Sequence, residues 1–315
     1  MDLPKIHSIT KKICVALLGG FLLVFMLFHA TANLFVLRHD DGLWYSEFCH
    51  FMGTNWIVKV FELVLLGALA LHIVLTLWLA LTNRLARPVR YHHPQRSKTH
   101  TTSKLMVWTG ILIVVCLALH FTDFYFVKLG IVKGEYMVEC EKVQTPELNQ
   151  LVQLSAQMNM SPDEMVSEME AYAGSDVADP QMADYLDEMR DQLSVLNILE
   201  RAYQEGNISA DGKWIRHLSY EERQTLRDLV PESHPEPDFY FMVRQKFHSL
   251  YLVVMYLLFF VVVFLHLRHA FPSAFQTLGL NNYKYNNFLE LFGRLYAWVV
   301  LLMFAAVPIL VYFGL

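Results

Sequence analysis

Cysteine is scarce in this chain, and its four copies, Cys14, Cys49, Cys116 and Cys140, do not form a cluster. Cys14 and Cys116 fall inside apolar runs. Cys49 and Cys140 fall outside them, and a disulfide between these two or two separate thiols are both open, because sequence does not place their Cα atoms. No internal repeat is evident. Charge is also sparse, at 17% of the 315 residues. No small-residue cleavage pattern follows the first apolar run before Arg38, and that run is too long for the core of a removed signal peptide, although Lys5, Lys11 and Lys12 precede it. It reads as a retained helix.

What is present is apolar residue in quantity, 55% of the chain. The mean hydropathy of +0.32 is high for a soluble domain and low for a pure membrane bundle. Two unlike parts explain the average. Residues 131–247 hold 23 Asp+Glu against 10 Lys+Arg, a net of −13, and the remainder holds 7 against 15, a net of +8. Five apolar runs, near 13–37, 57–82, 105–129, 248–271 and 292–313, approach or exceed the ~20 residues that cross a bilayer. The expected fold is all-α: an integral membrane bundle of five transmembrane helices with a soluble helical insert between helices 3 and 4. The domains are 1–130, 131–247 and 248–315.

Orientation follows from short loops. Residues 82–104 carry Arg84, Arg87, Arg90, Arg96, Lys98 and Lys104, and the N-terminal arm and the 272–294 loop add further lysine and arginine on the same side. The positive-inside rule makes that side cytoplasmic, with the insert and the C-terminus outside.

Four of the apolar runs each contain a histidine: His29, His72, His120 and His266. A polar ionisable side chain at membrane depth is costly and marks a functional site by default. His29 stands 8 residues before the outer end of the first run and His120 stands 9 before that of the third. At about 1.5 Å per residue both lie about 12–13 Å below that end. His72 and His266 lie in the inner half. The four therefore sort into two depth pairs, each on helices that run parallel and sit diagonally in a four-helix bundle, where cofactors are held by facing side chains. A lone membrane histidine is as readily a hydrogen-bonded packing residue. Four, one per helix and paired in depth, fit two bis-histidine haem b sites with all four as axial iron ligands. His269, one turn beyond His266, competes with it.

At this point a resemblance is specific. FMLFHATANLF around His29, HFMGTNWIVKVFELVLLGALALHI containing His72, NRLARPVRY, LALHF around His120 and LHLRHAFPSAFQTLG around His266 are similar to segments of the five-helix, dihaem cytochrome b membrane anchor of succinate dehydrogenase and fumarate reductase. The motifs span residues 8–130 and 247–313, and leave the insert uncovered. The resemblance implies that His72 and His266 ligate the haem proximal to the catalytic subunits and that His29 and His120 ligate the distal haem. It favours His266 over His269, because the family's haem histidine stands 13 residues before a closing glycine, as His266 does before Gly279. It implies partners on the cytoplasmic side: a flavoprotein subunit with FAD that performs the dicarboxylate chemistry, and an iron–sulfur subunit. It implies a bacterial inner membrane location and menaquinone as the substrate of this chain. No nucleic-acid partner is expected.

Residues for the quinone side are expected among Glu47, His50 and Glu62, because quinone chemistry needs a proton-exchanging group at an apolar pocket. Glu62 reads equally as a packing hydrogen bond. Arg84, Arg87, Arg268 and His269 are candidate propionate partners at the inner surface, with positive-inside anchoring the alternative for the arginines. Some relatives carry a glutamate two residues before the fourth-helix haem histidine; here that position is Phe264, which puts a proton route through it in doubt.

The insert reads as short helices. Ser161-Pro162-Asp163-Glu164 and Ser219-Tyr220-Glu221-Glu222 are capping-box patterns, Asp179-Pro180 marks a start and Gly206-Asn207 a stop. Its methionines have no Cys/His cluster beside them and read as packing residues rather than metal ligands. Two further functions stay in view: a cytochrome b subunit of a hydrogenase or formate dehydrogenase, against which LHLRHAFPSAFQTLG and FMGTNW argue, and a proton-coupled transporter, which predicts repeats or broken helices at the midplane.

Overall fold

The computed structural model describes residues 8–86, 101–173, 180–280 and 282–314. In chain order the helices are α1 (Ser8–Leu34), α2 (Leu43–Thr54), α3 (Trp56–Leu85), α4 (Thr101–His120), α5 (Phe126–Lys128), α6 (Cys140–Val143), α7 (Pro146–Met158), α8 (Pro162–Ala173), α9 (Pro180–Gln204), α10 (Tyr220–Leu229), α11 (Phe239–Phe247), α12 (Leu250–Thr277) and α13 (Asn286–Tyr312). Three short strands are β1 (Tyr136–Glu139), β2 (Trp214–Leu218) and β3 (Glu236–Pro237).

Five spans are long and apolar enough to cross a membrane: Ile9–Leu37, Trp56–Leu85, Leu105–Lys128, Leu250–Thr277 and Asn286–Tyr312. The chain is an all-α, multi-pass membrane protein whose outer helix faces contact lipid. Backbone polar groups in lipid must be satisfied within the segment, which is why these runs are helices. Asn55 starts α3 as an N-cap, its side chain accepting from the amides of Ile57 (2.9 Å) and Val58 (3.3 Å). The helix α12 runs on through Pro272 to Thr277, a turn and a half past the end expected at 271.

The chain divides into two compact units, 1–121 with 243–315 and 122–242. In the membrane unit α12 packs on α13, α4 and α1, and α1 packs on α3 and α13. The pairs α1–α4 and α3–α12 are not among the closely packed ones. Its core is built from Leu23 and Ala30 of α1, Phe264 and Leu267 of α12, and Ala297 and Phe304 of α13. Alanine and Gly293 let α13 approach: a Cβ on Gly293 would stand 3.0 Å from Cδ1 of Phe271. Tyr296 of α13 donates from its hydroxyl to the Leu23 carbonyl at 2.5 Å. No residue of α3 is fully buried.

The insert unit is mainly helical, as expected, with an antiparallel sheet ordered β2-β1-β3 that the helical pattern did not announce. Its strands are two to five residues long, too short for an alternating pattern to stand out. The pairing of β1 with β2 shifts register opposite Arg216-His217, and His217 adopts φ 58, a left-handed backbone that bulges favour. Both capping boxes form. Ser161 accepts from the Glu164 amide (3.2 Å) while Glu164 accepts from the Ser161 amide (2.9 Å). Ser219 and Glu222 repeat this at 3.2 and 2.7 Å. Helix α9 begins at Pro180 and ends just before Gly206, whose φ is 70. A buried ion pair ties β2 to the start of α11: Arg216 donates from Nε (2.7 Å) and Nη2 (2.6 Å) to the two oxygens of Asp238, which is fully buried and also accepts from the Phe241 amide.

Candidate haem and quinone sites

His29 and His120 each stand eight residues before the C-terminal end of their span, at Leu37 and Lys128. Their imidazoles come together: the ring centroids are 6.0 Å apart and the planes cross at 79°. With metal–imidazole bonds of about 2.0 Å, two rings on opposite sides of one iron stand about 6 Å apart, centre to centre. The pair therefore has the spacing that a bis-histidine haem demands. Aromatic rings close around it. Phe25 stacks on His29 (5.3 Å), Phe304 of α13 lies 5.7 Å from it, and Tyr256 of α12 lies edge-on to His120 at 6.3 Å. Apolar walls of this kind exclude water from a redox centre. The Asn33 amide donates to the His29 carbonyl at 2.8 Å and reaches its Nδ1 at 3.4 Å, and the buried Tyr45 hydroxyl donates to Asn33 at 3.4 Å. Directly after His120 the helix widens into a π-helical stretch, Phe121–Tyr125, a feature frequent at functional sites.

The second expected pair is His72, 13 residues before the end of α3, and His266, 11 before the end of α12. The two imidazoles lie within electrostatic range of each other. Each rests against a glycine of a neighbouring helix. A Cβ on Gly19 of α1 would stand 3.4 Å from Cε1 of His72, and one on Gly110 of α4 would stand 3.7 Å from Cε1 of His266. Nδ1 of His266 lies 3.2 Å from the Oγ1 of Thr109, a buried threonine. Nδ1 of His72 is buried and makes no close hydrogen bond; the Val15 carbonyl is the polar group its ring senses. Gly19, Thr109 and Gly110 were not singled out in the sequence. Gly110 stands 156 residues from the ring it accommodates, and no local pattern marks it.

Among the described residues no three His, Cys, Asp or Glu side chains gather as a metal site. A bis-histidine haem takes only two ligands from the chain, and His29 and His120 have the spacing of such a pair.

The other expected residues fall as follows. Glu47 and His50 lie one turn apart on α2, half-buried, and α2 packs on α3, which carries the half-buried Glu62. Tyr45, on the same short helix, is the more deeply buried polar group, and burial pushes its phenol well above the usual range, with Cys49 adding to the shift. His269 lies within electrostatic range of His266. Arg268, two residues beyond His266, is about 200° around the helix from it and exposed, which favours an anchoring role. Arg84 is exposed in the last turn of α3. Arg87 lies outside the described residues. Phe264 is buried against Trp298 at 4.6 Å, so this position serves packing.

Comparison with known proteins finds no match: no family model, curated protein or solved structure is significantly similar to this chain.

Proposed function

We propose that this chain is the dihaem cytochrome b membrane subunit of a quinol:fumarate reductase or succinate:quinone oxidoreductase. It carries electrons between a membrane quinone, menaquinone by resemblance, and iron–sulfur and flavoprotein subunits docked on the cytoplasmic face. The dicarboxylate chemistry belongs to those partners. The observation that supports this reading most is the approach of His29 and His120 to 6.0 Å at one depth, with His72 and His266 forming a second pair at another.

Haem bound at each pair supplies a one-electron carrier, and two carriers at different depths form a wire across the bilayer. The chain's own residues do the rest. His29 and His120 hold one group in the outer half, inside the wall of Phe25, Phe304 and Tyr256. His72 and His266 hold the other in the inner half, with Gly19 and Gly110 giving the imidazoles room. His269, one turn beyond His266, would pair with a propionate of that group. On the outer side Glu47, His50 and Glu62 exchange protons with the quinone, because its two-electron chemistry moves protons as well as electrons. The basic loop 82–104 supports a cytoplasmic N-terminus and partner-docking face, and the resemblance implies a bacterial inner membrane.

Reduced-minus-oxidised spectra and haem extraction of the purified chain test this. Two b-type haems per chain are expected. Replacement of His29 or His120 by alanine removes one spectral component, and replacement of His72 or His266 removes the other. A preparation without b-type absorbance refutes the reading, and loss of the same component from all four variants refutes the pairing.

A further inference from the structure

We propose that Thr109 is the positioning residue of the inner haem site, fixing His266 in the tautomer that leaves Nε2 available to iron. The proposal rests on the haem reading above. Thr109 is 6% exposed, and its hydroxyl has two neighbours: the Met106 carbonyl at 3.0 Å and the His266 Nδ1 at 3.2 Å. A hydroxyl owns one hydrogen and can accept as well. The carbonyl can only accept, so the hydrogen of Thr109 goes to Met106, and Thr109 accepts from Nδ1–H of His266. The proton of a neutral imidazole is then on Nδ1, and the lone pair is on Nε2. A partner of this kind orients a ligand ring and raises its basicity. The adjacent Gly110 lets the ring lie close against α4, so two consecutive residues seat one imidazole. His72 has no side-chain partner of this kind; the polar group facing its ring is the backbone carbonyl of Val15. Thr109 of α4 thus holds the ring that α12 carries, His266, from a side chain.

Losing an acceptor on the ligand's Nδ1–H lowers its basicity, which disfavours the ferric form and raises the potential. The test is a redox titration of the full-length chain, followed at the b-type absorbance, for the unsubstituted protein, Thr109→Val and Thr109→Ser. Valine keeps the shape without the hydroxyl; serine keeps the hydroxyl. For Thr109→Val the reduced-to-oxidised ratio of the haem that His266→Ala removes is expected to rise about tenfold, about 59 mV for a one-electron couple, with the other haem unmoved. Thr109→Ser is expected to titrate like the unsubstituted protein. Loss of that haem from Thr109→Val and its retention in Thr109→Ser gives the same support. Two unshifted haems in Thr109→Val, or a serine variant that behaves like the valine variant, overturn the proposal. Absence of haem from the unsubstituted protein is a separate result, which overturns the haem reading and this proposal with it.

Discussion

Gly19 of α1 and His72 of α3 pack backbone against ring: a Cβ on the glycine would stand 3.4 Å from Cε1 of the imidazole, ordinary contact with nothing to spare. The next residue, Gly20, has nothing within 4 Å of the same construction. Two neighbouring glycines of one helix therefore differ in what they tolerate. Gly19→Ala should keep both haems. Gly19→Leu should drive a branched side chain into the ring and deplete the component that His72→Ala removes. Gly20→Leu, on an open face, should leave both. Haem content per chain, read spectroscopically in the three variants, decides between this steric account and a general intolerance of the helix.

On the quinone side Glu62→Gln and His50→Ala should lower quinol oxidation at least tenfold, since a positioned proton-transfer group contributes on the order of 10²–10⁴. Both haems should remain reducible by dithionite. Glu47→Gln, on the face of α2 shared with His50, should behave likewise. A variant that loses turnover along with haem would point to packing instead.

In the insert, Asp238→Ala should destabilise the unit by about 3–5 kcal/mol, because it leaves the Arg216 guanidinium buried without its counter-charge. Hydrogen exchange of the β1 and β2 amides measures this locally. Unchanged protection would mean that the pair contributes nothing net.

Glu135 offers a pH test. Burial, with Asp238 and Glu222 nearby, raises its carboxyl above the usual range. A raised folded-state value means that protonation favours folding. The favourable contribution is full below the ordinary carboxylate pKa and is lost as pH rises through the raised one, so ionised Glu135 weighs against the fold at neutral pH. Glu135→Gln should therefore raise the unfolding temperature of the insert at pH 7. The difference should vanish at about pH 3, where the parent residue is protonated in both states. Trp214, 2% exposed, gives a fluorescence readout.

Much of the membrane unit was legible beforehand. The five spans follow from runs of apolar residues, because in lipid the choice of structure is forced by backbone satisfaction and length alone. The depth match of His29 with His120 was legible for the same reason: rise per residue is a fixed quantity, so position along a span converts to depth. Capping at Ser161 and Ser219 was legible because the bonds close within four residues. The apolar run near 248–271 marks α12 but not its last turns, because a proline inside an apolar run disfavours the helix without always ending it; α12 continues through Pro272 to Thr277.

What the sequence by itself determined, then, is the helical class of the five spans and the place of each histidine along its span, since both are set along a single helix. Only the tertiary structure decided which helices stand across from which. It alone set the distance between His29 and His120, chose Gly19 and Gly110 as the neighbours of the inner rings, and brought Thr109 to His266. It also made Asp238 the partner of Arg216 and set the short sheet of the insert. These relations join residues 22 to 157 positions apart, and the side-chain packing that selects them has no period along the chain.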